Sequence, residues 1–194
     1  MVNYAEEADF VGKQRRRRSA QEIAARKAER AAARNDEQWR SYARDLCYRQ
    51  LAMMERSCKQ LADAMERNLV PQQIADETLQ AFVDANLVND QRYADAFVRS
   101  KFAGKTTSRK VLRQELERKG ISGEIAGEAL EQIDSQDEAQ AATDFAIRRI
   151  RSMRHLSEEV RRRRLYGALG RRGFSSAQIR NAIETAFAQL EADE

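Results

Sequence analysis

The side chains with chemistry to offer in this chain are its arginines and lysines, and their chemistry is recognition of anions. A guanidinium presents five N–H donors in a rigid fork and keeps its charge at any ordinary pH. Between Arg99 and Lys119 lie Arg99, Lys101, Lys105, Arg109, Lys110, Arg113, Arg118 and Lys119, opposed only by Glu115 and Glu117. Between Arg148 and Arg172 the imbalance returns through Arg148, Arg149, Arg151, Arg154, Arg161, Arg162, Arg163, Arg164, Arg171 and Arg172, opposed by Glu158 and Glu159. The stretch separating them, Glu124 to Asp144, is acidic. Catalytic alternatives are poorly supplied. His155 is the only histidine, which excludes a two-histidine zinc site and leaves no imidazole relay. Cys47 and Cys58 have no metal or redox spacing, and Cys47 falls on an apolar stripe; both are expected to be reduced packing residues. Carboxylates sit at helical spacing from cations, as Glu115 does from Lys119. Gly120-x-x-Gly123 is a helix stop and a linker, not a phosphate loop. No catalytic residue, metal site or cofactor is expected.

Helical phase gives the cations an arrangement. With Leu112 and Leu116 pointing inward, Lys105, Arg109 and Arg113, four apart, form a ridge beside the apolar stripe. Arg162 matches Arg109 at an offset of 53 positions, whereas the corresponding place near the start of the chain holds Cys58. Arginine repeated in phase favours a face for an acidic protein or for phosphates. The plainer alternative is a solvated helix face that uses arginine for solubility.

The elements that carry this ridge repeat. The series Leu112, Leu116, Arg118, Lys119, Ile121, Ile125, Leu130 and Ile133 has counterparts 51 positions earlier in Leu61, Met65, Arg67, Val70, Ile74, Leu79 and Phe82. Moving 53 positions later gives Leu165, Leu169, Arg171, Arg172 and Phe174, then Ile179 and Phe187 after a slip of one. Upstream, Ala43/Leu46/Cys47/Leu51, Ala94/Phe97/Val98/Phe102 and Ala142/Phe145/Ala146/Ile150 are also related. A period of this length on helical spacing predicts tandem three-helix units, each too small to bury its apolar face alone. The array is expected to be elongated and curved, with a surface for a large partner.

Composition agrees. Of 194 residues, 34% are charged and 42% hydrophobic, with eight glycines and a single proline, Pro71. Strand-like alternation is absent, so the chain is expected to be all-α. Its formal net charge of +4 hides the local segregation described above. No apolar run is long enough for a membrane span or a signal peptide, and the expected location is the cytoplasm. The expected division is a basic tail over 1–36, then units over 37–88, 89–134 and 135–194. In the tail, Arg15-Arg16-Arg17-Arg18 precedes Ser19-Ala20-Gln21-Glu22, a capping box predicting a helix to about Arg34. Ile23 is its only large apolar residue, so it is expected to fray without docking. Asn89 or Asp90, Thr107 or Ser108, Ser122, Ser157 and Ser175 or Ser176 are the expected caps of later helices. Gly120 and Gly173 are expected to end helices in the left-handed region.

The segment LVNDQRYADAFVRSKFAGKTTSRKVLRQELERKGI, Leu87 to Ile121, resembles the signature region of the RecX family, bacterial regulators of the RecA recombinase. RRRRLYGALGRRGFSSAQI, Arg161 to Ile179, resembles that family's closing repeat. The resemblance covers about Ser41 to Leu190 and leaves out the tail before Trp39. It is weakest in the first unit, where Asn68-Leu69 replaces a frequent Lys-Gly. It implies three tandem three-helix repeats in a curved rod that lies in the groove of the RecA–single-stranded-DNA filament. It also implies inhibition of ATP hydrolysis, strand exchange and repressor cleavage, with no catalytic residues and no cofactor. The family's contact surface is diffuse, so the expected binding residues come from charge and phase: Arg99, Lys101, Lys105, Arg109, Arg113, Lys119, Arg162, Arg163, Arg171 and Arg172. The partners expected are the RecA filament and, as an additional contact, single-stranded DNA; no membrane is involved and the chain is monomeric. Two other readings stay open. In one, the helix pairs are helix-turn-helix DNA readers, against which stand the missing Asn, Gln and Arg base readers and the lack of any dimer signal. In the other, the chain is a fragment or subunit of an enzyme.

Overall fold

The computed structural model describes residues 19–104 and 106–192. Arg15 to Arg18 and Lys105 therefore lie outside the described residues. The described residues form ten α-helices and no strand. Helix α1 (Ala20–Ala32) precedes three units: α2 (Asp36–Met53), α3 (Cys58–Arg67) and α4 (Gln72–Asp84); α5 (Asp90–Phe102), α6 (Arg109–Arg118) and α7 (Gly123–Glu131); α8 (Ser135–Arg151), α9 (Glu158–Arg171) and α10 (Ser176–Ala192). The all-α array of three-helix units predicted from the period is the observed architecture.

Local chemistry explains most boundaries. Ser19 and Glu22 form the expected capping box, and Asn35–Gln38, Ser57–Gln60 and Ser175–Gln178 form others. Each box satisfies two backbone donors that the first helical turn leaves open. Ser108, not Thr107, caps α6. Pro71 is the N-cap residue of α4 and makes no side-chain cap bond. The second helix of every unit closes in the same way. Val70, Ile121 and Phe174 donate back to Met65, Leu116 and Leu169, while Leu69, Gly120 and Gly173 adopt positive φ. These are Schellman closures, in which the buried pair across the turn supplies the apolar contact that accompanies the hydrogen bonds.

Each unit has its own core, which corrects the expectation of a shared one. Leu61, Met65 and Phe82 belong to the first, Leu112, Leu116 and Leu130 to the second, and Leu165, Leu169 and Phe187 to the third. Three helices suffice because the third packs against both of the others and closes the cluster. Complete burial of a leucine side chain contributes roughly 1.5–3 kcal/mol. Phe102 touches the second and third clusters together and is an apolar link between units.

The joints also carry polar contacts, and these repeat. The carbonyl of Lys119, at the C-terminus of α6, accepts from the Ser57 hydroxyl at the N-terminus of α3 (2.6 Å). The carbonyl of Arg172, at the C-terminus of α9, accepts from the backbone N–H of Ser108 at the N-terminus of α6 (3.0 Å). The first amide of each earlier helix is taken by a carboxylate of the following unit: Cys58 N–H by Asp90 (2.8 Å) and Arg109 N–H by Glu138 (2.8 Å). Arg92 adds an ion pair to Glu55 (2.9 Å). The helices α9, α6 and α3 thus meet end to end, the negative end of each dipole against the positive end of the next. Gly120 and Gly173 are needed twice over. Their φ values of 83° and 82° favour glycine, and a Cβ would stand 2.4 Å from Lys59 Cβ and from Ser108 Oγ respectively. The first unit carries Leu69 at this place, with φ 62° and its side chain exposed.

Helix α1 docks, contrary to expectation. Ala31 packs against the first core, Lys27 donates its ammonium to the Arg67 carbonyl at the end of α3, and Arg34 lies over Trp39 and Tyr42 at 4.7 and 4.1 Å. The carbonyl at the end of α3 thus receives a donor from the preceding element, as those of α6 and α9 do. An amphipathic stripe is the usual requirement for docking; here a cation over aromatic rings and a carbonyl contact take its place.

Candidate functional site

Helices α6 and α9, whose ends meet, carry the expected ridge residues Arg109, Arg113 and Arg162. Arg109 and Arg113 lie one turn apart on α6, beside buried Leu112 and Leu116. At the matching places on α9 stand Arg162 and Tyr166, beside Leu165 and Leu169. The α9 series thus has a tyrosine where α6 has Arg113. Arg171 stands at the C-terminus of α9, where that helix meets Ser108.

The expected binding residues divide into two groups. Lys101 pairs with Glu115 at 3.3 Å and lies 5.6 Å from the Phe97 ring centre, which Lys119 approaches to 5.3 Å. Arg172 covers Phe145 at 4.0 Å and donates to the Ala168 carbonyl at 3.2 Å. Phe97 and Phe145 hold equivalent positions, so one cation–ring contact recurs in two units; the first unit has Leu46 and Asn68 instead. Burial, then Arg171 and Arg149 nearby, lowers the Arg172 pKa from its ordinary value; a guanidinium keeps its charge at ordinary pH even so. Arg162 pairs with Glu158 at 2.7 Å and lies 4.4 Å from the Phe187 ring centre. These four cations are held by the fold, each contact contributing up to about 1 kcal/mol at such exposure.

Arg99, Arg113, Arg163 and Arg171 are exposed, and Arg109 is half-buried. No ion pair, ring contact or side-chain hydrogen bond engages these five among the described residues. Their donors remain available to an anionic partner, where charge-assisted hydrogen bonds are the strong ones. Lys105, expected to begin the ridge, lies outside the described residues. Tyr166 and Arg180 were missing from the expected set. They stand with Arg162 and Arg163 around a shallow groove between α9 and α10. The signal for Tyr166 was present, since it follows Arg162 by four and Arg113 by 53 positions.

The thiols give no indication of nucleophilic chemistry. Burial pushes Cys47 up to about 11, and burial followed by the neighbouring Asp90 carboxylate pushes Cys58 up to about 11. A thiol so far above neutral pH is a packing group. Among the described residues no cluster of three His, Cys, Asp or Glu side chains could hold a metal ion, and no helix is long and apolar enough to cross a membrane.

Comparison with known proteins gives one answer. Residues 89–130 match the family described as "RecX, second three-helix domain", and residues 136–183 match "RecX, third three-helix domain". A protein named "Regulatory protein RecX" from Streptomyces lividans is 36% identical over 146 residues, covering 73% of this chain and 78% of that one. Its namesake from Thermobifida fusca is 34% identical over 134 residues, covering 69% and 72%. The crystal structure of RecX from Lactobacillus salivarius superposes with a TM-score of 0.68 at 22% identity, covering 77% of this chain and 97% of that one. At that identity the superposition speaks for the fold.

Proposed function

The chain belongs to the RecX family, and we propose that it is a non-enzymatic regulator which lies along the RecA–single-stranded-DNA filament and inhibits its ATP hydrolysis, strand exchange and coprotease activity. In this reading it serves DNA repair, recombination and the SOS response as a cytoplasmic monomer. The observation that carries the proposal is the joint between α9 and α6. It joins the ends of two helices from neighbouring units that both carry unengaged guanidinia, an arrangement that suits a partner whose acidic groups repeat. An enzyme would need a nucleophile or base held against orienting groups; the side chains gathered here are donors without an acceptor.

Salt dependence tests the proposal. Affinity for RecA filaments and for naked single-stranded DNA is measured across a series of salt concentrations. Binding to filaments is expected to be at least about tenfold tighter than to naked DNA at physiological salt, and to fall as salt rises. Equal affinity for both would leave a nonspecific DNA-binding protein and overturn the proposal.

A further inference from the structure

We infer that Tyr166, with Arg163 and Arg180 beside it, is a stacking platform for an unpaired nucleobase, so that the third unit grips single-stranded nucleic acid directly. The groove between α9 and α10 has a volume of about 390 Å³ and is lined by Arg162, Arg163, Tyr166, Arg180, Ile183 and Glu184. Tyr166 is 47% exposed, so its ring is open to a ligand. Its hydroxyl reaches Ser176 Oγ at 3.4 Å, across the groove to the first residue of α10. Ile183, almost wholly buried, supplies an apolar floor.

The charges select the ligand. Arg162 is held by Glu158 and Phe187, whereas Arg163 and Arg180 have no partner among the described residues. Two unpartnered guanidinia stand with one carboxylate, Glu184, so the groove favours an anion. An acidic protein surface would satisfy the guanidinia but has no need of the ring. On α6 the equivalent position is Arg113, and a tyrosine there gives up a charge and gains a π-face. A nucleotide uses both, with its phosphates on the arginines and its base on the ring. This inference deepens the proposed function by assigning a direct contact to the strand in the filament, and it rests on that reading only for the strand's identity.

The test compares labelled oligothymidylate with an oligomer of the same length whose sugars carry no bases, so that the phosphates are matched and stacking differs. Anisotropy is followed at low salt with the full chain. The parent protein is expected to bind the thymidylate about fivefold or more tighter than the abasic strand. Tyr166→Ala should remove that preference and leave abasic binding unchanged, while Tyr166→Phe should keep it. Arg163→Ala with Arg180→Ala should weaken both strands. A helical Tyr166→Ala protein that retains the preference overturns the inference. So does one that loses RecA-filament binding with oligomer binding intact, because the groove then faces protein. If the preference depends on Tyr166 but filaments are not bound, the platform stands and the filament proposal fails.

Discussion

A chain carrying Gly173→Ala is expected to lose the joint between the second and third units while both units stay folded. The new methyl meets Ser108 Oγ at 2.4 Å and Val111 Cγ2 at 2.7 Å, at a φ of +82° that L side chains rarely adopt. Neither neighbour yields easily. Ser108 Oγ accepts from Val111 N–H as the cap of α6, and a β-branched valine has little rotamer freedom in a helix. Backbone strain together with loss of the cap amounts to about 2–4 kcal/mol. Relief comes by separating α9 from α6, which breaks the Ser108 N–H to Arg172 carbonyl bond. Hydrogen exchange should therefore quicken at Ser108 and in the first turn of α6, with the core of α8 and α10 still protected. The control is Gly170→Ala, a helical site with open space around it, expected to be neutral or stabilising by up to about 1 kcal/mol. Unchanged melting and exchange in the Gly173→Ala protein would show that the joint carries no energy.

Reversal of the unengaged arginines should separate function from fold. Arg113, Arg163 and Arg171 are exposed and have no side-chain partner among the described residues, so changing all three to Glu removes no contact within the chain. Exposed charges away from such contacts contribute within about 0.5 kcal/mol each, and melting should shift by only a few degrees. On an acidic or phosphate surface the same change removes attraction and sets like charges together, at a cost of several kcal/mol. The half-inhibitory concentration against RecA-filament ATP hydrolysis is expected to rise by more than about 100-fold, with the circular dichroism of the parent retained. Normal inhibition by the reversed protein would reduce the ridge to a solvated face. Arg162 and Lys101 are unsuited to this experiment because their ion pairs and ring contacts confound stability with binding.

What the sequence disclosed follows the range of the interactions. The leucine spacing around Leu112 and Leu116 and the stops at Gly120 and Gly173 depend on neighbours within a turn or two, and they were legible. The boxes at Asn35–Gln38 and Ser57–Gln60 are just as local; they were open to view in the spacing and passed over. The second duty of Gly120, leaving room for Lys59, involves a residue 61 positions away, and no local pattern announces it. Docking of α1 escaped for a related reason, since Lys27 finds a carbonyl and Arg34 finds two rings instead of an apolar stripe. At the candidate site, charge and phase pointed to a ridge but could not tell a free cation from an engaged one. Arg99 and Arg172 look alike in the sequence. The difference is a ring, Phe145, that the fold brings beneath Arg172.

Arginine-selective labelling with phenylglyoxal, read by mass spectrometry with and without RecA–single-stranded-DNA filaments, tests the central claim most directly. Filaments are expected to protect the unengaged arginines of α5, α6 and α9, namely Arg99, Arg109, Arg113, Arg163 and Arg171, while Arg44, exposed on α2 of the first unit, keeps reacting at its original rate. Protection of Arg44 with those five arginines still fully reactive would place the contact on the first unit and contradict the account.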